Sequence, residues 1–491
     1  MGLKLEKSSN PISKTKLRTE LEQHYHLVAF EDISKISDGP ALAYRLLYSL
    51  YQTHYNDNER IVFYTNQDPP DTLINFLQKA IDLVDISSFF VCVYTNVVDA
   101  DPLLTGYQND ILCPLPWLHT EVRNNGDYAP CCEFSNAQRS LSLTNASFED
   151  YRYGTELHEI RTTMLDNKWH DGCINCKRIE DTNGVSNRKL ALENFHKVFY
   201  QQEITEQPHK LQSLDIKPGN LCNLKCRICV PFNSSKIATE EILRLQNVDP
   251  TQIVPLRFEL NGCDWPKNPQ YWQKVLDATS DLIEIDVFGG EPWLHDYHGE
   301  LLDFLIKHKT SKKITLHYNT NGTIYPGNFV YKWNYFKLVD IAFSVDDIGD
   351  RFEYQRQGAD WNGVLNNIKL LLELPDSNLR FSFYVTISVL NVFYLPQLVR
   401  TIEEFGIPIH YNILHKPDTL SIYQLSTEAR RAILANYAKF SFDEENIVNI
   451  LQIPESGDHD SICNEIKSKD VLRGQNFAQA HPEMAKILGM I

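Results

Sequence analysis

Three thiols stand close together in the segment LDIKPGNLCNLKCRIC, where three residues separate Cys222 from Cys226 and two separate Cys226 from Cys229. Thiolates are soft ligands suited to iron and zinc. Three of them on one short loop can each hold one iron of a cubane cluster and leave the fourth iron open for chemistry. A structural zinc site wants a fourth donor and commonly draws on two C-x2-C pairs. The spacing therefore favours a cluster, with zinc as the other reading. Five more thiols lie upstream. Cys113 opens CPLPWLH, Cys131 and Cys132 follow Gly126 in GDYAPCC, and Cys173 and Cys176 form DGCINC. Four of these complete a second cubane or a tetrahedral zinc site. Cys113, Cys131, Cys173 and Cys176 are the natural set, with Cys132 as the spare or as a substitute for Cys131. Eight of the eleven cysteines thus fall between positions 113 and 229, which marks a metal-binding region and not scattered core thiols. Cys92, in SSFFVCVY, reads as a packed core residue. Cys263 and Cys463 stand alone and read as structural.

The elements that must position these thiols follow from periodicity. Residues 210–420 alternate strand and helix patterns. LQSLDIKP, EIDVFGG, KKITLHYNT, LVDIAFSVDD, RFSFYVTIS and IPIHYNIL read as strands, and HGELLDFLIKH, GVLNNIKLLLEL and LPQLVRTIEEFG as helices. Repeated βα units predict a parallel sheet or barrel with its site at the carboxyl ends of the strands. The cysteine loop follows the first of these strands, where such a site would lie. Residues 109–209 read as a small domain organised by metal, with the turns NNGD and DTNG and a helix over YRYGTELHEIRTTMLD. Residues 1–108 read as a small α/β recognition or docking unit. ALAYRLLYSLYQTHY and LINFLQKAIDLV are its helices, RIVFYTNQ and FFVCVYT its strands. Residues 421–491 read as a mostly helical C-terminal extension.

Composition sets the outer limits. A chain of 491 residues exceeds one ordinary domain. With 43% hydrophobic and 11% aromatic residues it can bury large cores. A net charge of −17 argues against a nucleic-acid partner, since phosphate binding needs a basic surface. No apolar run approaches the roughly 18–20 residues that span a bilayer. The N-terminus has no apolar signal core, and Glu6 stands where a myristoylation signal wants Ser or Thr. The expectation is a cytoplasmic protein without a membrane partner, in which clustered cysteines are ligands and not disulfides.

The cysteine triad resembles the hallmark of the radical S-adenosylmethionine (SAM) superfamily. A second segment strengthens the resemblance: Phe288-Gly289-Gly290-Glu291-Pro292 ends the next strand and is similar to the family's GGEP motif. Thr320-Asn321-Gly322 is similar to its TNG turn, Ser344-Val345-Asp346 ends the fourth strand, and Thr386 and Ser388 end the fifth. The resemblance implies a partial (β/α)6 barrel over about 210–420, a SAM-binding [4Fe–4S] cluster on Cys222, Cys226 and Cys229, and SAM contacts from Gly289, Gly290, Glu291, Pro292, Asn321, Ser344, Asp346 and Arg356. Among these, glycine lets the methionine end of SAM approach the backbone, Glu291 or a backbone carbonyl accepts its ammonium, and Arg356 pairs with its carboxylate. The upstream thiols resemble SPASM/twitch auxiliary domains, in which a first Cys, a G-x4-C hairpin and a later CxxC bind a further [4Fe–4S] cluster. Here that domain precedes the barrel, whereas it follows it in the best-known members. The implied chemistry is reductive cleavage of SAM to a 5′-deoxyadenosyl radical that abstracts hydrogen from substrate, with an external electron donor and a peptide or protein as substrate class. No side chain is assigned as catalytic. The alternative is a zinc-stabilised, non-catalytic binding protein on such a barrel.

Overall fold

The computed structural model describes residues 4–13, 26–32, 59–64, 91–98 and 111–491, the last without 136–140, 182–183, 201–202, 376 and 454–456. The chain divides into two compact units, Met1–Asp110 and Ile111–Ile491. In the first, β1 (Lys4–Ser13), β2 (His26–Asp32), β3 (Glu59–Tyr64) and β4 (Val91–Val98) form a parallel sheet in the order β1-β4-β3-β2. RIVFYTNQ and FFVCVYT account for β3 and β4, and Cys92 lies in β4. The helices expected over 41–55 and 73–84 lie outside the described residues.

The second unit is built on one mixed, mostly parallel sheet. Its strands are β5 (His119–Val122), β6 (Tyr128–Ala129), β7 (Ser213–Ile216), β9 (Glu284–Val287), β10 (Thr315–Thr320), β11 (Leu338–Ser344), β13 (Leu379–Ile387) and β14 (Ile409–Ile413). A separate two-stranded ribbon pairs β8 (Lys225–Cys226) with β12 (Arg356–Gln357). The large sheet runs β14-β13-β11-β10-β9-β7-β5-β6. The six strands expected over 210–420 are six of its seven consecutive parallel members, β5 being the seventh. The alternation is physical. Leu214, Ile216, Ile285, Val287, Leu316, Tyr318, Val339, Ile341 and Phe343 are buried, and they share one core with Val275, Leu302, Ile368 and Leu398 of the intervening helices. Asp215, Asp286, His317 and Asp340 alternate with them and so face the other side.

The cysteine-rich segment shares this sheet. β5 pairs in parallel with β7, and β6 pairs antiparallel with β5. Four residues of HTEV carry too little alternation for sequence to reveal a strand. The NNGD turn closes the β5–β6 hairpin: Gly126 takes φ +85° and the Arg123 N–H bonds the Asp127 carbonyl at 2.9 Å. Glycine fits that conformation without strain. The stretch YRYGTELHEIRTTMLD contains the end of the helix Phe148–Arg152 and the helix Thr155–Leu165, separated by Gly154. Beyond the sheet, Thr427–Phe440, Glu445–Leu451, His459–Arg473, Phe477–Ala480 and Pro482–Ile487 are helical. Among the described residues no helix is long and apolar enough to cross a membrane.

Two buried arginines brace the cysteine-rich segment from within. Arg161 donates to the carbonyls of Glu206, Pro116 and Arg152, and Arg152 donates to those of Trp117 and His209. Arg161→Met removes the donors from three carbonyls and should destabilise unit Ile111–Ile491 by roughly 3 kcal/mol, the scale of losing buried hydrogen bonds to a charged group. Urea denaturation measures this, and a loss under about 1 kcal/mol would contradict the brace.

Candidate functional site

The loop after β7 is shaped by its own hydrogen bonds. Gly219 turns the chain at φ +85°. Asn220 receives the Ser235 N–H on its carbonyl at 2.7 Å, and the Ser235 hydroxyl accepts from Cys222 N–H at 3.2 Å. Ser234 caps the helix Ser235–Val248 and also bonds the Leu224 carbonyl. The Cys229 N–H returns to the Cys226 carbonyl at 3.2 Å. Cys222 is buried, and Cys226 and Cys229 are half-buried. Burial pushes the Cys226 thiol up to about 11, with Arg356 opposing the rise and Cys222 adding to it. Cys229 is raised further, by burial and then by Cys226 and Cys222. The three thiols therefore sense one another, and as thiolates they would need a bound cation.

The loop after β9 lies directly on this one. Gly289 and Gly290 have φ +79° and +57°. A methyl group on Gly290 would run into the Leu221 carbonyl, and one on Gly289 into the Asn124 side chain. In this structure the glycines serve backbone-to-backbone packing onto the cysteine loop. The Glu291 N–H bonds the Leu221 carbonyl at 2.9 Å. The carboxylate of Glu291, fully buried, accepts from the Thr320 hydroxyl and the Asn321 N–H, both at 2.8 Å. It is thus already occupied in tying β9 to the end of β10. Pro292 is buried and opens the short turn Pro292–Leu294. Asn321 donates to Asn223, between the first two cysteines, at 3.0 Å, and Asn223 donates to Thr323.

Asp346 and Arg356 meet each other. The guanidinium donates through Nε at 3.0 Å and Nη2 at 2.6 Å to one carboxylate oxygen, and Nη1 lies 3.9 Å from Cys226 Sγ. The other oxygen of Asp346 accepts the Thr386 N–H at 2.9 Å. Ser344 is half-buried at the end of β11. Ser388 is buried, and its N–H bonds Asn391. The C-terminal helices close on the same loop. Arg473 bonds Glu240 and the Lys225 carbonyl, and Arg227 bonds Asp470 and Gln475.

Cys113, Cys131, Cys173 and Cys176 line one cavity together with Phe134, Ile160, Met164, Trp169 and Arg188. The hairpin strand β6 delivers Cys131. The turn after it is fastened to the Cys173 turn by Ser135 N–H to the Gly172 carbonyl at 2.9 Å. Burial raises Cys173 to about 12, with Cys176 adding to the rise. Cys132 is exposed and outside the cavity, with Asn187 Nδ2 at 3.8 Å from its sulfur. Cys131, not Cys132, is therefore the member that joins this set. Among the described residues no group of three or more His, Cys, Asp or Glu is set to hold a metal ion.

Sequence reasoning named neither Asn124 nor the polar row of the sheet. Asn124, buried just past β5, donates to the Phe232 carbonyl and Asn233 and so links the cysteine-rich segment to the end of the cysteine loop. In register, Asp215 stands beside Asp286, Asp286 beside His317, and His317 beside Asp340. His317 and Asp340 bond at 2.9 Å, and Arg380 bonds both oxygens of Asp340. Asp215 and Asp286 are pushed well up, by burial first and then by neighbouring carboxylates. Asp286 Oδ1 is buried without a hydrogen-bond partner. The signal was the third residue of SLDI, EIDV and TLHYNT, but the register of neighbouring strands cannot be read from sequence.

No protein-family model matches the chain, and no curated protein matches it. Solved structures give distant likenesses. Native anSMEcpe with bound AdoMet is 16% identical, over 54% of this chain and 62% of that one, at a TM-score of 0.30. Streptococcus suis SuiB bound to S-adenosylmethionine is 15% identical, over 63% and 66%, at 0.31. A further crystal structure of SuiB is 15% identical, over 68% and 70%, at 0.32. Likeness at that level leaves the site to be argued from its own residues.

Burial raises Glu291 to about 7, against the hydrogen bonds it accepts. A carboxyl raised on folding contributes stability that is full below its unfolded value, near 4.5, and is lost as pH rises through about 7. Glu291→Gln removes that dependence. Relative to wild type it should gain on the order of 2–3 kcal/mol between pH 5 and pH 8 in urea denaturation. A difference independent of pH would show that Glu291 stays ionised.

Proposed function

We propose that this chain is a radical SAM enzyme whose cluster is held by Cys222, Cys226 and Cys229 and whose substrate is a peptide or protein. The observation that carries the reading is the meeting of three strand-end loops: the cysteine loop after β7, Gly289–Glu291 after β9 and the Asn321 turn after β10 are hydrogen-bonded to one another. Six consecutive parallel strands beneath them support a partial (β/α)6 barrel. The thiols fit the group. They are close enough to raise one another, they are desolvated, and a cubane takes one thiolate per iron, so its ligands stand further apart than those of a lone ion.

When bound there, a [4Fe–4S] cluster supplies the electron that splits the sulfonium bond of SAM into methionine and a 5′-deoxyadenosyl radical. The chain's own residues supply position and shielding. The backbone of Gly289 and Gly290 and the hydroxyl of Ser344 are the groups offered to SAM. Glu291, Asn321, Asp346 and Arg356 act by holding the loops, since their polar groups are engaged with the protein, and Pro292 by opening the buried turn that follows. The row Asp215, Asp286 and His317 offers the substrate hydrogen-bonding groups, and the unpartnered Asp286 Oδ1 is a candidate proton acceptor.

Cys113, Cys131, Cys173 and Cys176 would hold a second [4Fe–4S] cluster in a twitch-like segment spanning 109–209. Four thiolates close its coordination, which suits an electron carrier better than a substrate ligand. The other assignments are a docking role for 1–108, a helical extension over 421–491, and an external electron donor.

Anaerobic reconstitution should load about eight irons and matching sulfide per chain, and dithionite with SAM should yield 5′-deoxyadenosine. Stoichiometric zinc without iron would sink the enzyme reading in favour of a zinc-stabilised scaffold. Cys226→Ala should abolish 5′-deoxyadenosine formation. Cys173→Ala should keep part of it while losing modified product, and normal turnover by that variant would make the second cluster unnecessary.

A further inference from the structure

Arg356 is placed by backbone as well as by charge. In the β8–β12 ribbon it stands opposite Cys226 itself, and the Arg227 N–H bonds the Gln355 carbonyl at 2.8 Å. Its guanidinium lies 5.8 Å from the Phe352 ring centroid and is 6% exposed as a residue. Asp346, 1% exposed, is fixed in turn by the Thr386 N–H on its side chain and the Asn391 amide on its carbonyl at 2.8 Å. Two of the three guanidinium nitrogens are spent on Asp346, and the third is the one near the Cys226 sulfur. The guanidinium is therefore held between Asp346 and the Cys226 sulfur.

We infer that the Arg356–Asp346 pair sets the reduction potential of the cluster bound by Cys222, Cys226 and Cys229, with Arg356 as a positioning residue acting through the Cys226 sulfur. This rests on the reading proposed above. Hydrogen bonds to cluster sulfurs and nearby charge are the means by which a protein tunes such a group. In a desolvated site a fixed charge acts strongly over a few ångströms. Reduction adds negative charge to the cluster, so a neighbouring cation favours the reduced form and raises the potential. Asp346 offsets part of that effect by balancing the guanidinium. The two residues thus pull the potential in opposite directions from adjacent positions.

The test is a redox titration of the reconstituted full chain without SAM, followed by electron paramagnetic resonance, reading the signal that SAM addition perturbs. Arg356→Met should lower the midpoint by at least a tenfold change in the one-electron equilibrium, which is about 59 mV. Asp346→Asn should raise it, and Arg356→Lys, which keeps the charge, should stay near wild type. Iron content and circular dichroism check that each variant is loaded and folded. If Arg356→Met does not load, the upward shift of Asp346→Asn against the unshifted Arg356→Lys decides the matter. Arg356→Met with an unmoved midpoint and weakened SAM binding would overturn the inference and return Arg356 to the SAM carboxylate. A wild-type chain that takes no iron at the triad would instead overturn the underlying function.

Discussion

The candidate site depends on one close approach between two backbones. The carbonyl of Leu221, beside the first cysteine of the triad, accepts the Glu291 N–H and fills the space that a side chain on Gly290 would occupy. No other residue type could bring the β9 loop so near the cysteine loop at a positive φ. From that contact the order of the site propagates. Glu291, carried into the interior by the approach, must find partners for a buried carboxyl, and it finds them at Thr320 and Asn321. Asn321 then reaches back to Asn223 within the cysteine loop. Three loops from three strands become one hydrogen-bonded unit.

Support for that unit comes from both ends of the large compact unit. On one side Asn124, beyond the edge strand β5, ties the cysteine-rich segment to residues 232 and 233. On the other, the helix His459–Arg473 holds the cysteine loop through Arg473 and Arg227. Buried charges are tolerated there because each is paired, Arg473 with Glu240 and Arg227 with Asp470. Segments that read in sequence as flanking additions are structural parts of the same cradle.

How much was legible follows the range of each interaction. The triad and the six strands of 210–420 were read from spacing and alternation within a few residues, and the GGEP segment from its family resemblance. Cys113, Cys131, Cys173 and Cys176 were named together from types and counts, and all four line one cavity. The short strands β5 and β6 were missed because so few residues carry no periodicity. The hydrogen bonds that Glu291 makes to Thr320 and Asn321, and Asp346 to Arg356 and Thr386, were not legible, since nothing in their own segments reveals the partners that lie on other strands.

Sequence by itself determined the inventory of clustered thiols and the alternating strands and helices, because both depend on residue type at fixed local intervals. Tertiary structure alone decided the rest. It set Cys131 and not Cys132 toward the second thiol set, placed Arg356 opposite Cys226 with Asp346 on its other edge, and aligned Asp215, Asp286 and His317 in one row. Each of those outcomes turns on strand register and loop packing between residues up to about a hundred or more positions apart, as with Arg356 and Cys226. Such contacts are selected by the burial and pairing of whole faces, which no local pattern encodes.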